Sequence, residues 1–342
     1  MGSTQRRAAA ATAALALAVA LGACDSGSSS GGQPAAQQQG GAGALLSVAQ
    51  AELAARQWWA ADEQALVNRD ANAIANLDAA PLAQVMAHQL EAYRAVGAGL
   101  LRAPRTPQAV RVYVPEQESY PLRLLAVFDV PDRNGTGHQA ELLVQPGAGA
   151  ALVAEQSAVL DAREPAFDVD AAGVVRTVAG ADQQRLLGRT DSDLSPSFDA
   201  YMSGLTHGHP PTGTPAFAAG RHTSDAAAAD AAYLRDAPAR SNGLVASAEV
   251  GYVDLQVAEP VFALAGGGGF TLFASQRDQV LHPAEGKAFS QDTNRHNWGI
   301  DLPPGTYPQI TEQSVVMVAA LLPAGGAPVQ VLGVGGGVES AS

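Results

Sequence analysis

Residues 82–114 read LAQVMAHQLEAYRAVGAGLLRAPRTPQAVRVYV, and the hydrophobic period changes inside this stretch. Leu82, Val85, Met86, Leu90, Tyr93 and Val96 recur at helical spacing and form one apolar stripe. Gly97 and Gly99 end it. After Pro107 the period is two: Val110, Val112 and Val114 alternate with Ala109, Arg111 and Tyr113, as in a half-buried strand.

Upstream, Val48, Trp58, Trp59, Leu66 and Val67 mark a long helix, with Glu52, Asp62 and Glu63 among its polar positions. A break at Asn68-Arg69-Asp70 precedes a short helical piece, Ala71 to Leu77, and Pro81 suits the first turn of the next helix. Downstream, Leu122 to Val130 reads as a more fully buried strand. Asp132-Arg133-Asn134-Gly135 is a turn, and Ala140 to Gln145 returns antiparallel. Leu152 to Glu155 is another strand, and Phe167 to Val178 leads out of this half with a turn at Asp170 to Gly173.

The second half repeats the order. Leu194, Phe198, Met202 and Leu205 share a helix face, Thr206 to Pro215 is a Pro/Gly-rich loop, and Ser224 caps an alanine-rich helix over Asp225 to Arg235. Strands follow over Leu244–Val257, Val261–Ala265 and Phe270–Gln276. Pro308–Leu322 and Val329–Val334 form a terminal hairpin joined through Gly325-Gly326, and Gly335 to Ser342 is a frayed tail. Helices followed by an antiparallel meander, twice, is α+β order. The expected organisation is a first α+β domain over 45–178, a second over 179–335, and a disordered tail over 336–342.

Hydrophobic residues make up 47% of the 342-residue chain, enough to bury a core. Its 33 acidic residues against 20 basic ones give a formal charge of −13, which argues against nucleic acid as a partner. Cys24 is the only cysteine, so there is no internal disulfide.

The N-terminus reads as an export signal over residues 1–23. Arg6 and Arg7 precede the apolar run Ala8–Ala20, which is too short to span a bilayer. Leu21-Gly22-Ala23-Cys24 then resembles the bacterial lipobox. The resemblance implies cleavage between Ala23 and Cys24 and a diacylglyceryl group on the Cys24 sulfur, anchoring the chain to the outer face of the cytoplasmic membrane. Arg6-Arg7 leaves the twin-arginine route open beside the general one. Residues 24–44, the lipidated cysteine and a stretch rich in Ser, Gly and Gln, read as a disordered tether that holds the body on the order of 25 Å from the lipid.

The helix-then-meander order is similar to the nuclear transport factor 2-like (cystatin-like) fold, in which a curved sheet wraps helices around a conical cavity. The whole chain resembles a family of actinobacterial lipoproteins of unknown function that carry two such domains. The resemblance rests on the lipobox, Asp62-Glu63-Gln64-Ala65, Asn72-Ala73-Ile74, Val112-Tyr113-Val114-Pro115 and the stretch Leu194 to Tyr201. It implies two cone cavities, and in enzymatic members of the superfamily an Asp-His or Asp-Tyr pair inside one of them.

Few residues announce chemistry. His207, His209 and His222 supply three imidazoles, but they straddle a Pro/Gly-rich loop and lack an evident fourth zinc ligand. Asp132 to Gly137 resembles the start of a calcium loop, yet its twelfth position is Leu143 rather than a bidentate Glu, so a hairpin turn is expected. Gly266–Gly269 and Gly333–Gly337 open no helix and read as turn and tail. Lys287, the only lysine, sits in an exposed loop by its neighbours. Neither a Gly-x-Ser-x-Gly elbow in the folded region nor a His-Glu-x-x-His occurs. Trp58, Trp59 and Trp298 are candidates for cavity or domain-seam aromatics. No catalytic residue, metal or cofactor is assigned. The expectation is a non-enzymatic envelope lipoprotein, a binding or scaffold protein whose cavities or domain seam take a small molecule, a peptide or another envelope protein. The alternative is an extracytoplasmic isomerase- or dehydratase-like enzyme with its site in one cone.

Overall fold

Ser47 starts the first helix. Its hydroxyl accepts from the Gln50 N–H while the Gln50 side chain accepts from the Ser47 N–H, so α1 (Val48–Asn68) opens on a reciprocal capping box. Left-handed Arg69 closes it, and Asp70 then caps α2 (Ala71–Leu77) by accepting from the Asn72 and Ala73 N–H groups. Next comes α3 (Leu82–Val96). The computed structural model describes residues 45–96, 103–132, 135–210, 212–213, 216–255, 259–291, 302 and 305–342.

The first meander is β1 (Ala109–Pro115), β2 (Leu122–Asp132), β3 (Gly135–Gln145) and β4 (Val153–Leu160), each antiparallel to the last. There follow β5 (Val174–Val175), α4 (Gly180–Leu187), α5 (Leu194–Thr206) and α6 (Ser224–Arg240). The remaining strands are β6 (Val245–Asp254), β7 (Phe262–Ala263), β8 (Gly269–Pro283), β9 (Phe289–Gln291), β10 (Gly305–Tyr307), β11 (Ile310–Leu322) and β12 (Gln330–Ala341). The α+β order holds. The helix α4 was not foreseen.

Among the described residues one 10-stranded sheet runs β5-β1-β2-β3-β4-β12-β11-β8-β6, with β7 beside β8. The expected division into two domains at 178/179 does not hold. β4 pairs with β12 at Leu160–Gly333 and Val159–Val334, so both meanders share one sheet, and residues 40–342 form one compact unit. The physical reason is that two sheets would each leave an unpaired edge at β4 and β12, whereas joining them satisfies both. Gly333 and Gly335 allow the approach: a Cβ on either would run into the carbonyl oxygen of Val159 or Ser157. The segment expected as a disordered tail, 336–342, is the second half of β12, paired with β11 from Gly336–Val316 to Ala341–Glu312.

The sheet also closes on itself. The hairpin over Phe167–Val178 was expected to lead out of the first half. Instead β5 pairs in parallel with β1, and both arms of the hairpin bond to β7. Ala263 N–H donates to the Arg176 carbonyl at 2.7 Å and Asp168 N–H to the Ala263 carbonyl at 2.9 Å. A main-chain ring results, from β1 through β4, β12, β11, β8 and β7 back to β1. Its interior holds Leu125, Val127, Leu142, Phe167, Phe262, Phe270 and Leu272.

Helices clothe the other face. The helix α1 buries Ala51, Ala55, Trp58 and Trp59 over Val112, Leu124 and Phe128. The helix α5 buries Phe198 and Met202 over Phe273, Val318 and Ala320. Fully burying side chains of this size contributes roughly 1.5–3 kcal/mol each.

Candidate functional site

A cleft of about 450 Å³ lies at the end of the ring where β1 ends and β2 begins. Pro115, Glu116 and Gln117 form one wall and Arg123 a second. Thr177 to Gly180, Gln183 and Asp191 form a third, and Glu259, Pro260 and Val261 lie on the segment that leads into β7.

Side-chain amides fix these walls. Gln117 donates to the Arg123 carbonyl and accepts from the Arg123 N–H, both at 2.8 Å, closing the β1–β2 connection. Buried Gln183 donates to the Val178 carbonyl at 2.9 Å and accepts from the Asp191 N–H at 2.8 Å. It thereby ties α4 to the strand before it and to the 3-10 turn at Asp191–Asp193 after it.

The polar floor comes from an irregularity in β4. Leu142 faces Gln156 while Leu143 faces Ala154, so Glu155 is an extra residue in the strand. The bulge brings both Glu155 and Gln156 to the same cluster. Arg123 Nε lies 3.3 Å from Glu155 Oε2 and 3.8 Å from Glu259 Oε2, and Gln156 Nε2 donates to Glu259 Oε1 at 2.7 Å. Glu259 is 3% exposed, and its Oε2 has no hydrogen-bond partner among the described residues. Burial, seconded by the Glu155 charge, raises its pKa to about 8 against the pull of Arg123 and Gln156. At neutral pH the carboxyl is largely protonated. A strongly shifted acid in a cleft is a physical marker of a functional site.

Other buried acids lie under the helices. Glu141 accepts from Ser157 Oγ at 2.8 Å and Gln139 Nε2 at 2.7 Å, and burial holds its pKa well above the usual carboxylate range. Asp78 is raised to about 8 by burial and then by Asp62, and Asp199, which accepts from Ser275 Oγ, is raised to about 6 by burial.

Of the imidazole–carboxylate pairs within hydrogen-bond reach, the tightest lies at the opposite end of β2, where His138 Nδ1 and Asp129 Oδ1 are 2.6 Å apart; His222 Nε2 and Asp161 Oδ2 are 2.8 Å apart on the surface. Both Asp129 oxygens also accept from Arg111, at 2.7 Å each, and Arg111 pairs in turn with Glu164. The Arg111 guanidinium lowers Asp129 to about 2, which makes this a locked charge network rather than a base poised for proton transfer.

The residues singled out in the sequence are dispersed. Trp58 and Trp59 are core: their indole N–H groups donate to the Leu77 carbonyl at 2.9 Å and the Arg105 carbonyl at 3.0 Å, and both rings pack on Phe128. Neither lines the cleft. Ala23, Cys24 and Trp298 lie outside the described residues. His207 bonds the Val250 carbonyl and His222 bonds Asp161. Among the described residues no group of three or more His, Cys, Asp or Glu stands where it could hold a metal. Lys287 is tied to the Gly243 carbonyl at 2.9 Å. Asp132 and Gly135 close the β2–β3 hairpin, and Leu143 is buried in β3. Sequence reasoning passed over Glu259. The available signal was a lone acid inside the apolar run Val257-Ala258-Glu259-Pro260-Val261-Phe262.

Fold and site together define a class: an α+β protein whose sheet closes on itself, is clad in helices and carries a small polar cleft at one end of the ring. Residues 42–342 match the model of a domain of unknown function (DUF8094), and the chain belongs to that family. No curated protein and no solved structure matches it.

Proposed function

We propose that this chain is a cell-envelope lipoprotein, anchored through lipid on Cys24 to the outer face of the cytoplasmic membrane, whose folded body binds a small ligand in the Arg123–Glu259 cleft without transforming it. The anchor rests on the lipobox and the chain's single cysteine. The observation that carries the binding reading is Glu259, which lines the cleft and whose buried Oε2 has no hydrogen-bond partner among the described residues. Such an atom costs stability unless something supplies a partner. The helix-then-meander order of each half supports kinship with cystatin-like domains, here read as two units fused through β4 and β12.

The enzymatic alternative requires an Asp-His or Asp-Tyr pair in a cavity. The Asp129–His138 pair is engaged by Arg111, the Asp230–Tyr252 pair by Arg277 and the Asp161–His222 pair by Arg221, and none of these acids lines the cleft.

Two measurements test the proposal. Cys24→Ser should move the protein from the membrane fraction to the medium or leave an uncleaved precursor; unchanged fractionation and mass would refute the anchor. Thr177→Trp, which fills the cleft, should abolish the thermal shift given by compounds that stabilise the wild type. Persistence of every such shift would put the binding site elsewhere.

A further inference from the structure

We propose that the cleft takes a small organic cation, an ammonium or guanidinium compound, with Glu259 Oε2 as its principal acceptor. This rests on the reading of the cleft as a ligand site and names its ligand class.

The charge balance of the walls points to a cation. Glu116 and Asp191 line the cleft as carboxylates, and Glu259 adds a third where it ionises, against the single guanidinium of Arg123. That guanidinium is shared, since its Nε faces Glu155 at 3.3 Å as well as Glu259 at 3.8 Å. An anion would meet the carboxylates of Glu116 and Asp191. A neutral polyol would supply a hydrogen bond to Oε2 but leave the charge excess standing. A cation supplies both the donor and the missing charge. The volume, about 450 Å³, lies within the range of small-ligand sites.

Gln156 makes the acceptor specific. It holds Oε1 at 2.7 Å and leaves Oε2 as the atom without a donor. The groups facing this carboxyl are Arg123, Glu155, Gln156 and Asp191. A cation would stabilise its ionised form, so binding should release a proton and strengthen as pH rises toward 8.

The test is calorimetric titration of the full chain in nonionic detergent at pH 6.5 and pH 8.5. The probes are agmatine, the capped peptide acetyl-Gly-Arg-Gly-amide, sorbitol and succinate. Agmatine should bind, about tenfold more weakly at pH 6.5 than at pH 8.5. Binding of the capped peptide as well would extend the ligand class to basic side chains; agmatine alone would limit it to small free cations. Glu259→Gln should weaken agmatine about tenfold or more at pH 8.5. Should that variant not fold, Glu116→Gln with Asp191→Asn, both on the walls, should weaken it in the same direction. Agmatine affinity untouched by these changes would overturn the proposal. Sorbitol or succinate binding as tightly as agmatine would overturn the cation and leave the cleft a ligand site. Failure of all four probes, with an intact melt, would overturn the cation and the binding reading together.

Discussion

Glu259→Gln should change how stability depends on pH, and the sign follows from the direction of the shift. The carboxyl has a pKa of about 8 in the folded chain against its ordinary 4.5. Between those values the folded state keeps a proton that the unfolded chain has released, so stability falls as pH rises through that window. Each pH unit corresponds to about 1.4 kcal/mol, so the full window amounts to roughly 4–5 kcal/mol as an upper figure. Glutamine has the same shape and no such slope. It can still accept from Gln156 Nε2, and what it gives up is the 3.8 Å ion pair with Arg123, itself 31% exposed at the side chain. At pH 5, where Glu259 is protonated in the folded state, the variant should lie within about 1 kcal/mol of the wild type. At pH 8.5 it should be more stable than the wild type by about 2–5 kcal/mol. Urea unfolding followed by circular dichroism at both pH values measures the difference. Asp78, Glu141 and Asp199, also raised by burial, add slopes common to both proteins, so only the variant-minus-wild-type difference is diagnostic. A difference that does not move with pH, or one that favours the wild type in alkali, would show that Arg123 holds Glu259 ionised and would refute the argument from burial.

Arg111→Met should cost about 3–5 kcal/mol in denaturant unfolding at neutral pH, because it strands Glu164, whose side chain is 2% exposed, beside Asp129. Asp129's share of that cost should be present above its usual 3.8 and vanish as pH falls through about 2. A variant as stable as wild type at neutral pH would show the network to be a surface ornament. Gly335→Val drives a side chain into the Ser157 carbonyl and should prevent folding or cost more than about 3 kcal/mol. Gly147→Ala, with nothing within 4 Å of its Cβ, should stay within about 0.5 kcal/mol. Similar melts for the two would mean that β4 and β12 do not meet as described. Removing residues 336–342 takes away half of β12 and should lower the melting midpoint by more than about 4 °C; an unchanged midpoint would return that segment to a tail.

Local elements were legible because local chemistry sets them. Asp70 caps a helix that runs Ala71–Leu77 as read, and Val110, Val112 and Val114 are the buried side of β1. Asp170 makes the expected turn by accepting from the Ala172 and Val174 N–H groups. Partners were not legible, because alternation reports which face of a strand is buried and never which strand lies beside it. Thus β4 and β12, far apart in the chain, gave no sign of their pairing. The glycines that permit it made the end of the chain look like coil. The helix α4 escaped because it is mostly polar, with only Gln183 and Leu187 buried. The site escaped for a related reason. Glu259 is an ordinary glutamate in sequence, and its distinction arises from burial and from Gln156 and Glu155, which reach it from β4 through a bulge that no periodicity signals.

One strand nevertheless lays out the interior. On the ring face of β2, alternation places Arg123, Leu125, Val127 and Asp129 in line. Arg123 belongs to the cleft, Leu125 and Val127 to the apolar centre, and Asp129 to the network with Arg111 and His138. Six residues of strand separate the two charged ends by about 20 Å. The space between is filled by Leu142, Phe167, Phe270 and Leu272, all buried. A ligand in the cleft therefore meets neither His138 nor Asp129. Proton-transfer chemistry would have to recruit groups from the cleft's own walls, where Glu259, Glu116 and Asp191 stand with Arg123 and no imidazole. That inventory suits recognition by charge and hydrogen bond. It also separates the two ends: the Arg111 network closes one end of the ring with paired charge, and the cleft holds at the other a buried carboxyl whose Oε2 has no hydrogen-bond partner among the described residues.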